Sequence, residues 1–470
     1  MKTPFLGSAY TSKTLPLAAQ TLVNLYLEMD GSQEGSELGA FLNAPGALLY
    51  KIFGVGPIRG MHVANGDLYV TSGNQVFRET TAGVVTLVGT LGTSAGLVSM
   101  EDNGLQLVIA DTIGWQGVDL TTQVMAAVLG APTDSILTYQ DGYVIFTRGG
   151  DTFGITDLSN AFFINALDFA SAEGAPDDTI AVLADHRELW LFGERTIEVW
   201  FNTGAAAFPF ERSGNAFIEH GCAARRSVAK MDNSVFWLGR DDKGAGIVSR
   251  SQGYSPSRIS THALETAIGS YGDISDAQAY CYQQEGHSFY VLTFPSANRT
   301  WAFDAATETW SERCYRASGG SRGRTRANAF VFWNGMYLTG DYVDGRVYSM
   351  RLDQYTDDGD AIYRERAWAH VEDENHRIRH NRLELIAEMG VGLQSGQGSD
   401  PQVFLQWSDD GGRVWSNEHW RSVGKVGQYE RRAYWNKLGM ARRRIYRLAT
   451  TDPVKVAWIG ANLNAQGLAA

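Results

Sequence analysis

The sequence predicts an all-β chain: a β-propeller-like body of six or seven blades, followed by a C-terminal β-sandwich-like domain. Three observations carry this reading. A strand–turn–strand rhythm repeats along most of the 470 residues. Glycine is abundant, 52 residues against a typical share of roughly 7%, and aromatics reach 11%, the mixture expected of many short strands joined by tight turns. The composition then changes near residues 355–400, from apolar-aromatic segments to the charged "QYTDDGDAIYRERAWAHVEDENHR" and the loop-like "GVGLQSGQGSDPQ".

Residues 1–54 are expected to form an N-terminal arm or strand that closes the propeller, with room for one short helix within residues 10–30. Residues 55–361 are the propeller body. Seven units start near residues 59, 97, 136, 180, 227, 277 and 327, about the spacing of a four-stranded blade. Each holds an apolar triplet ("LYV", "LVI", "VIF", "LWL", "VFW", "FYV", "MYL") beside a turn such as Asp102-Asn103-Gly104, Asp141-Gly142, His186-Arg187, Asp232-Asn233, Glu285-Gly286 or Asn334-Gly335. The glycines among them supply the positive φ angles that two-residue hairpin loops need. A set of unrelated β-meanders in a sandwich is the competing architecture. Residues 362–470 form the C-terminal β-domain, with strands expected in "QVFLQWS", "RRRIYRLATT" and "VKVAWIGANL". "DENHRIRHNRLELIAEMG" (373–390) fits a strand or an amphipathic helix equally.

Bulk charge narrows the function. A formal net charge of −12 argues against a protein whose main work is gripping nucleic-acid phosphates, although DNA can slide past such a surface. Cys222, Cys281 and Cys314 are too few and too widely spaced for a disulfide framework or a C-x-x-C metal site, and read as small buried hydrophobes in a reducing compartment. The N-terminus has no unbroken apolar run of a signal peptide, and no stretch of about 18 uncharged apolar residues predicts a membrane span.

The sequence carries no catalytic or cofactor motif with its full set of residues, so no enzyme activity, cofactor or metal is expected. Ser408, Asp410, Gly412 and Trp415 spell S-x-D-x-G-x-x-W, the Asp-box hairpin found in sialidases and other glycosidases. In that motif the aspartate accepts backbone amides and the tryptophan packs beneath, so the motif closes a turn and touches no substrate. The F/Y-R-I-P strand of sialidases is missing. His376 and His380 in "HRIRH" lie among arginines without the H-E-x-x-H glutamate. "YTDDGDAI" lacks the spaced carboxylates of a calcium loop, and "GVGPIRG" matches neither phosphate-binding glycine motif.

One charge asymmetry stands out. Arg421, Lys425, Arg431, Arg432, Lys437, Arg442, Arg443, Arg444 and Arg447 lie in one stretch with a single acid, Glu430. This basic segment is read as a contact for an acidic partner subunit, a patch facing DNA phosphates, or a solvated strand face with arginines over Tyr434 and Trp435. "GGSRGRTR", within the run from Arg313 to Arg326, is a second basic loop with the same alternatives.

Several segments resemble the tail-hub, or nozzle, proteins of short-tailed bacteriophages, the packaged-DNA stabilisation family. They are Asn24-Leu25-Tyr26 with Pro45-Gly46, and Arg59-Gly60 with Leu68-Tyr69. Further along are Phe192-Gly193 with Thr196-Ile197-Glu198 and Gly221, and then "SDDGGRVWS" with "GQYERRAYWNKLGMARRRIYRL" and "DPVKVAWIGA". The resemblance runs nearly end to end. It implies a structural virion protein, present as a homohexamer beneath the adaptor ring of the portal, with tail-fibre, tailspike or tail-tip neighbours. It implies retention of packaged double-stranded DNA and its conduction on ejection, in a virion tail assembled in the host cytoplasm, and no catalytic residues. A glycan-binding or glycan-cleaving propeller used for host attachment is the alternative, on the Asp-box and the 13 Trp.

Overall fold

The structure is a computed structural model and describes residues 2–31, 38–172, 174–241 and 243–467. Seven consecutive antiparallel units of four strands start at Ile58, Ser99, Leu137, Thr179, Ala229, Gln278 and Ala327; the first five are separate sheets, the sixth is part of an 11-stranded sheet and the seventh of a six-stranded one. They are blades 1 to 7. The first strand of blade 7 lies against that of blade 1, and Asn328 Nδ2 donates to Ile58 O across that seam at 2.8 Å. The ring is therefore closed.

Each apolar triplet sits in the second strand of its blade, where both sheet faces are buried. In blade 2, Leu107 and Ile109 pack with Ala64, Tyr69 and Val76 of blade 1, whereas Val108 and Ala110 pack with Leu137, Val144 and Phe146 of blade 3. The same division recurs at every seam. That is why these strands read as unbroken apolar runs and not as alternation. The turns between the first two strands are equally regular. Asn65-Gly66, Asp141-Gly142, His186-Arg187, Asp232-Asn233, Glu285-Gly286 and Asn334-Gly335 all carry positive φ at both positions, from +48° to +95°, the type I′ geometry whose twist matches the strands.

Blade 7 takes its fourth strand from the other end of the chain. Gly46–Ile52 pairs antiparallel with Arg346–Arg351. The rest of the expected N-terminal arm lies elsewhere, and no helix forms in residues 10–30. Ala19–Val23 pairs with Arg364–Ala367, and Leu25–Met29 pairs with Gly39–Asn43, which pairs in turn with Ala457–Gly467. These N-terminal strands belong to the two sheets of the C-terminal sandwich. One sheet orders as 19–23, 364–367, 443–450, 402–408, 419–422, and the other as 25–29, 39–43, 457–467, 378–387, 433–436. Residues 378–387 are thus strand. The core between the sheets includes Leu22, Leu405, Tyr446 and Leu448 opposite Leu27, Phe41, Leu383 and Leu463. The chain begins in the sandwich, runs out to build the propeller, and returns.

Asn24 is the crossing point between the two sheets. Its backbone is left-handed (φ +51°), a conformation Asn tolerates better than other non-glycine residues. Its buried amide donates to Cys314 O (2.8 Å) and Tyr363 O (2.9 Å), and its Oδ1 accepts from Cys314 N (3.0 Å). Next to it, Val23 bridges in parallel to Glu312 in the last strand of blade 6, so blade 6 and one sandwich sheet are continuous. A second tie joins His287 of blade 6 to Glu28 (Nε2 to Oε2, 2.6 Å) and to Asp304 (Nδ1 to Oδ2, 2.8 Å).

Candidate functional site

The S-x-D-x-G-x-x-W hairpin follows the strand Gln402–Ser408 in the sandwich. Ser408 Oγ donates to Asp410 Oδ1 at 2.7 Å and accepts Gly412 N at 2.8 Å. Asp410 Oδ1 also accepts Arg413 N and Val414 N, both at 3.0 Å. These donors hold the Asp410 carboxyl below its usual range, Ser408 first. Gly412 has φ +97°, and a Cβ there would lie 3.1 Å from Ala19 Cβ. Trp415 packs on the small cluster of Ala19, Ala367 and Ile445, with the Arg447 guanidinium 4.0 Å from its ring centre. The hairpin's polar groups are engaged within the hairpin itself, and the turn is pinned to the N-terminal strand 19–23.

The basic segment that follows does not form one face. Arg444 is 2% exposed and grips Asp409 with two hydrogen bonds, Nε to Oδ1 at 2.6 Å and Nη2 to Oδ2 at 2.7 Å. Arg447 donates to Gln406. Arg432 pairs with Glu384, and Arg443 with Glu372. Arg421 and Arg442 are exposed and donate to backbone carbonyls of Tyr434 and Asn375. Lys425, Arg431 and Lys437 are exposed in loops. Strand alternation carries a signal for the inward Arg444, because Tyr446 and Leu448, two and four residues on, are core residues.

The Arg313–Arg326 run is also tied down. Arg322–Gly323 pairs with Tyr315–Arg316, Arg322 stacks over Tyr363, Arg324 stacks over Tyr342, and Arg326 pairs with Asp341. Arg313 is buried. His380 is buried in the sandwich, bonded to Tyr446 OH through Nδ1 at 2.8 Å, and burial pushes its imidazole down to about 4. Among the described residues no group of three or more His, Cys, Asp or Glu is placed to hold a metal ion, and no helix is long and apolar enough to cross a membrane. Cys222, Cys281 and Cys314 are free thiols.

Two arginines on the propeller organise its axis. Arg59 is buried in the first strand of blade 1 and reaches blade 2. It donates to Gly96 O, Gly73 O, Thr93 O and Thr93 Oγ1, and pairs with Asp111 (2.8 Å). A Cβ on the neighbouring Gly60 would lie 2.6 Å from Val98 Cγ2, so the Arg59-Gly60 pair is the joint between two blades. Arg226, just before blade 5, crosses the axis. Its guanidinium donates to Leu97 O (2.9 Å) and Val98 O (3.1 Å) of blade 2, while its own carbonyl accepts Ala279 N of blade 6 at 2.8 Å. Burial holds its pKa down to about 10, with Arg225 adding to the effect. Beside it Arg225 pairs with Asp134 between blades 2 and 3. The central cavity, lined by first-strand residues of blades 1, 2, 6 and 7 and by Ile136 and Val228, is thus bridged by a side chain.

Residues 1–355 match the family model described as Bacteriophage P22 Gp10, beta-propeller, and residues 354–466 match the one described as Bacteriophage P22 Gp10, beta-sandwich. The propeller match starts at residue 1, although residues 19–43 pair into the sandwich. No curated protein matches the chain. Similar solved structures include the WD40 beta propeller domain of Doa1 (14% identity, 65% of this chain and 97% of that one, TM-score 0.41). Another is the computationally designed Ika8 protein (10% identity, 65% and 99%, TM-score 0.40). A third is the N-terminal domain of Nup159 (9% identity, 71% and 99%, TM-score 0.41).

Proposed function

The chain belongs to the Bacteriophage P22 Gp10 family of phage DNA-stabilisation proteins, and from that membership we propose that it is a tail hub. Six copies form a ring below the adaptor of the portal, extend its channel, retain the packaged DNA and conduct it on ejection. Tail-fibre, tailspike or tail-tip proteins are the neighbours on the far side, and the ring assembles in the host cytoplasm. The observation that carries the geometry of this proposal is Arg226. A duplex with a major groove about 12 Å wide has no passage along an axis that one side chain bridges. The DNA path therefore lies between copies, against the outer surfaces of a rigid body.

The net charge of −12 suits such a path, because repelled phosphates do not stick. The exposed members of the basic segment, Arg421, Lys425, Arg431, Lys437 and Arg442, are proposed to face an acidic patch of a neighbouring subunit. The glycan reading keeps little support, since Ser408 and Asp410 are committed to the hairpin's own backbone. The test is the mass of the purified chain with its adaptor ring by light scattering. A ring of six copies is expected, and a mass that stays at one 51.6 kDa chain overturns the proposal.

A further inference from the structure

Between blades 6 and 7, roofed by Asn24 and Pro45–Ala47, lies a cavity of about 90 Å³ that opens to solvent. It shares Tyr280 and Ala327 with the lining of the central cavity. Its walls are mostly aromatic and aliphatic, with Tyr280, Tyr282 and Val291 on blade 6 and Met350 on blade 7. Its charged lining residues are Arg313, Arg326, Asp357 and Asp358. Arg313 ends the last strand of blade 6, is 5% exposed, and lies 5.5 Å from the Phe289 ring centre.

Both terminal nitrogens of Arg313, Nη1 and Nη2, are buried and have no hydrogen-bond partner among the described residues. A guanidinium left without acceptors in an apolar setting is costly. Nearby carboxylates are committed elsewhere. Asp304 and Glu28 hold His287, and Asp341 holds Arg326 and Tyr348. Asp357, on the same cavity wall, accepts Ala47 N, and burial pushes its carboxyl up to about 7. Asp358 lies 3.5 Å from Arg346, and Arg326 is held by Asp341, so of the two cavity arginines Arg313 is the one with both terminal nitrogens unpartnered among the described residues.

We propose that this cavity binds an organic carboxylate, its two oxygens on Nη1 and Nη2 of Arg313 and its apolar body against Tyr280, Tyr282, Val291 and Met350. A planar fork suits a carboxylate held by two parallel hydrogen bonds. The same chemistry comes from a free small acid or from a carboxylate at the end of a protein segment. The wall joins blade 6, blade 7 and the strands leading into the sandwich, so occupancy ties the two units together. The inference does not depend on the tail-hub reading.

The full chain is titrated with sodium benzoate, with neutral benzamide, and with sodium chloride at matched ionic strength, read by thermal unfolding and calorimetry. A saturable rise in Tm with benzoate alone is expected, and Arg313→Gln should weaken benzoate binding by about tenfold or more. Equal shifts with benzoate and benzamide overturn the proposal without any variant. So does an unchanged benzoate response in an Arg313→Gln protein with native circular dichroism. A short peptide ending in phenylalanine, with a free or an amidated carboxyl, separates the sources. Competition by the free-acid form alone assigns a protein segment, and no competition beside intact benzoate binding assigns a small acid.

Discussion

Replacing Asn24 tests how the propeller and the sandwich are joined. Asn24→Ala removes three buried hydrogen bonds, to Cys314 O, Tyr363 O and from Cys314 N. At about 1 kcal/mol each that is about 3 kcal/mol. Alanine at φ +51° adds about 1–2 kcal/mol, because its Cβ crowds the next carbonyl in the left-handed region. The expected loss is about 4–5 kcal/mol. Asn24→Gly loses the same bonds but tolerates the backbone, so it should be about 1 kcal/mol less damaging. Asn24→Asp keeps the acceptor for Cys314 N but turns a carboxylate toward two carbonyls, and should be at least as harmful as glycine. Urea unfolding followed by tryptophan fluorescence measures this. A chain of two packed units need not unfold in one step, so the loss is read at the first transition, which should also separate from the second. A loss of less than about 1 kcal/mol in Asn24→Ala, or equal losses for alanine and glycine, refutes the reasoning.

Other consequences are shorter to state. His287 is held protonated by Asp304 and then Glu28, with its pKa pushed up to about 9. Its contribution is complete below the unfolded value near 6.5 and is lost as pH rises through about 9. The amount is on the order of 2–3 kcal/mol after allowance for the half-exposed Glu28, and His287→Gln should flatten the stability profile between pH 7 and 9. Glu101, pushed up from 4.5 to about 7 by burial, works in the same sense at lower pH, its stabilisation being lost as pH rises from about 4.5 to 7, so His287→Gln should leave that lower slope in place. Gly221→Ala places a Cβ 2.1 Å from Glu194 O and 2.2 Å from Arg195 N. The backbone must move, and a loss toward the upper end of about 1–3 kcal/mol should appear as reduced soluble yield and a lower urea midpoint. Asp410→Ala should make the 408–416 turn more sensitive to limited proteolysis. Arg444→Met leaves Asp409, itself half-exposed, without its fork and should cost about 2 kcal/mol, discounted from a fully buried pair.

The propeller was legible because its signals are local. Each apolar triplet and each two-residue turn lies within a dozen residues, and both follow from a strand buried on two faces and a hairpin that needs positive φ. The turn closed by Ser408, Asp410 and Gly412 is local in the same way, its hydrogen bonds lying within residues 408–414. What was not legible is long-range. Nothing in "QTLVNLYLE" says that Leu22 and Leu25 pack between sheets most of whose strands lie more than 300 residues away, and the short helix for which residues 10–30 had room gave way to that pairing. The basic segment misled for a different reason. Residue counting adds charges, whereas strand alternation sends Arg444 inward to Asp409 and leaves Arg443 outside on Glu372. Arg226 had no sequence signal, because its partners Leu97 and Val98 offer only backbone carbonyls.

In the proposed ring of copies the DNA path runs between subunits and not through any single propeller. Electron-microscope class averages of the chain alone and with its adaptor ring test it most directly. A six-fold ring with a central lumen flanked by closed propellers is expected, appearing at least when the adaptor is present. A single chain beside an unextended adaptor, or density for DNA threading one propeller's axis, contradicts it.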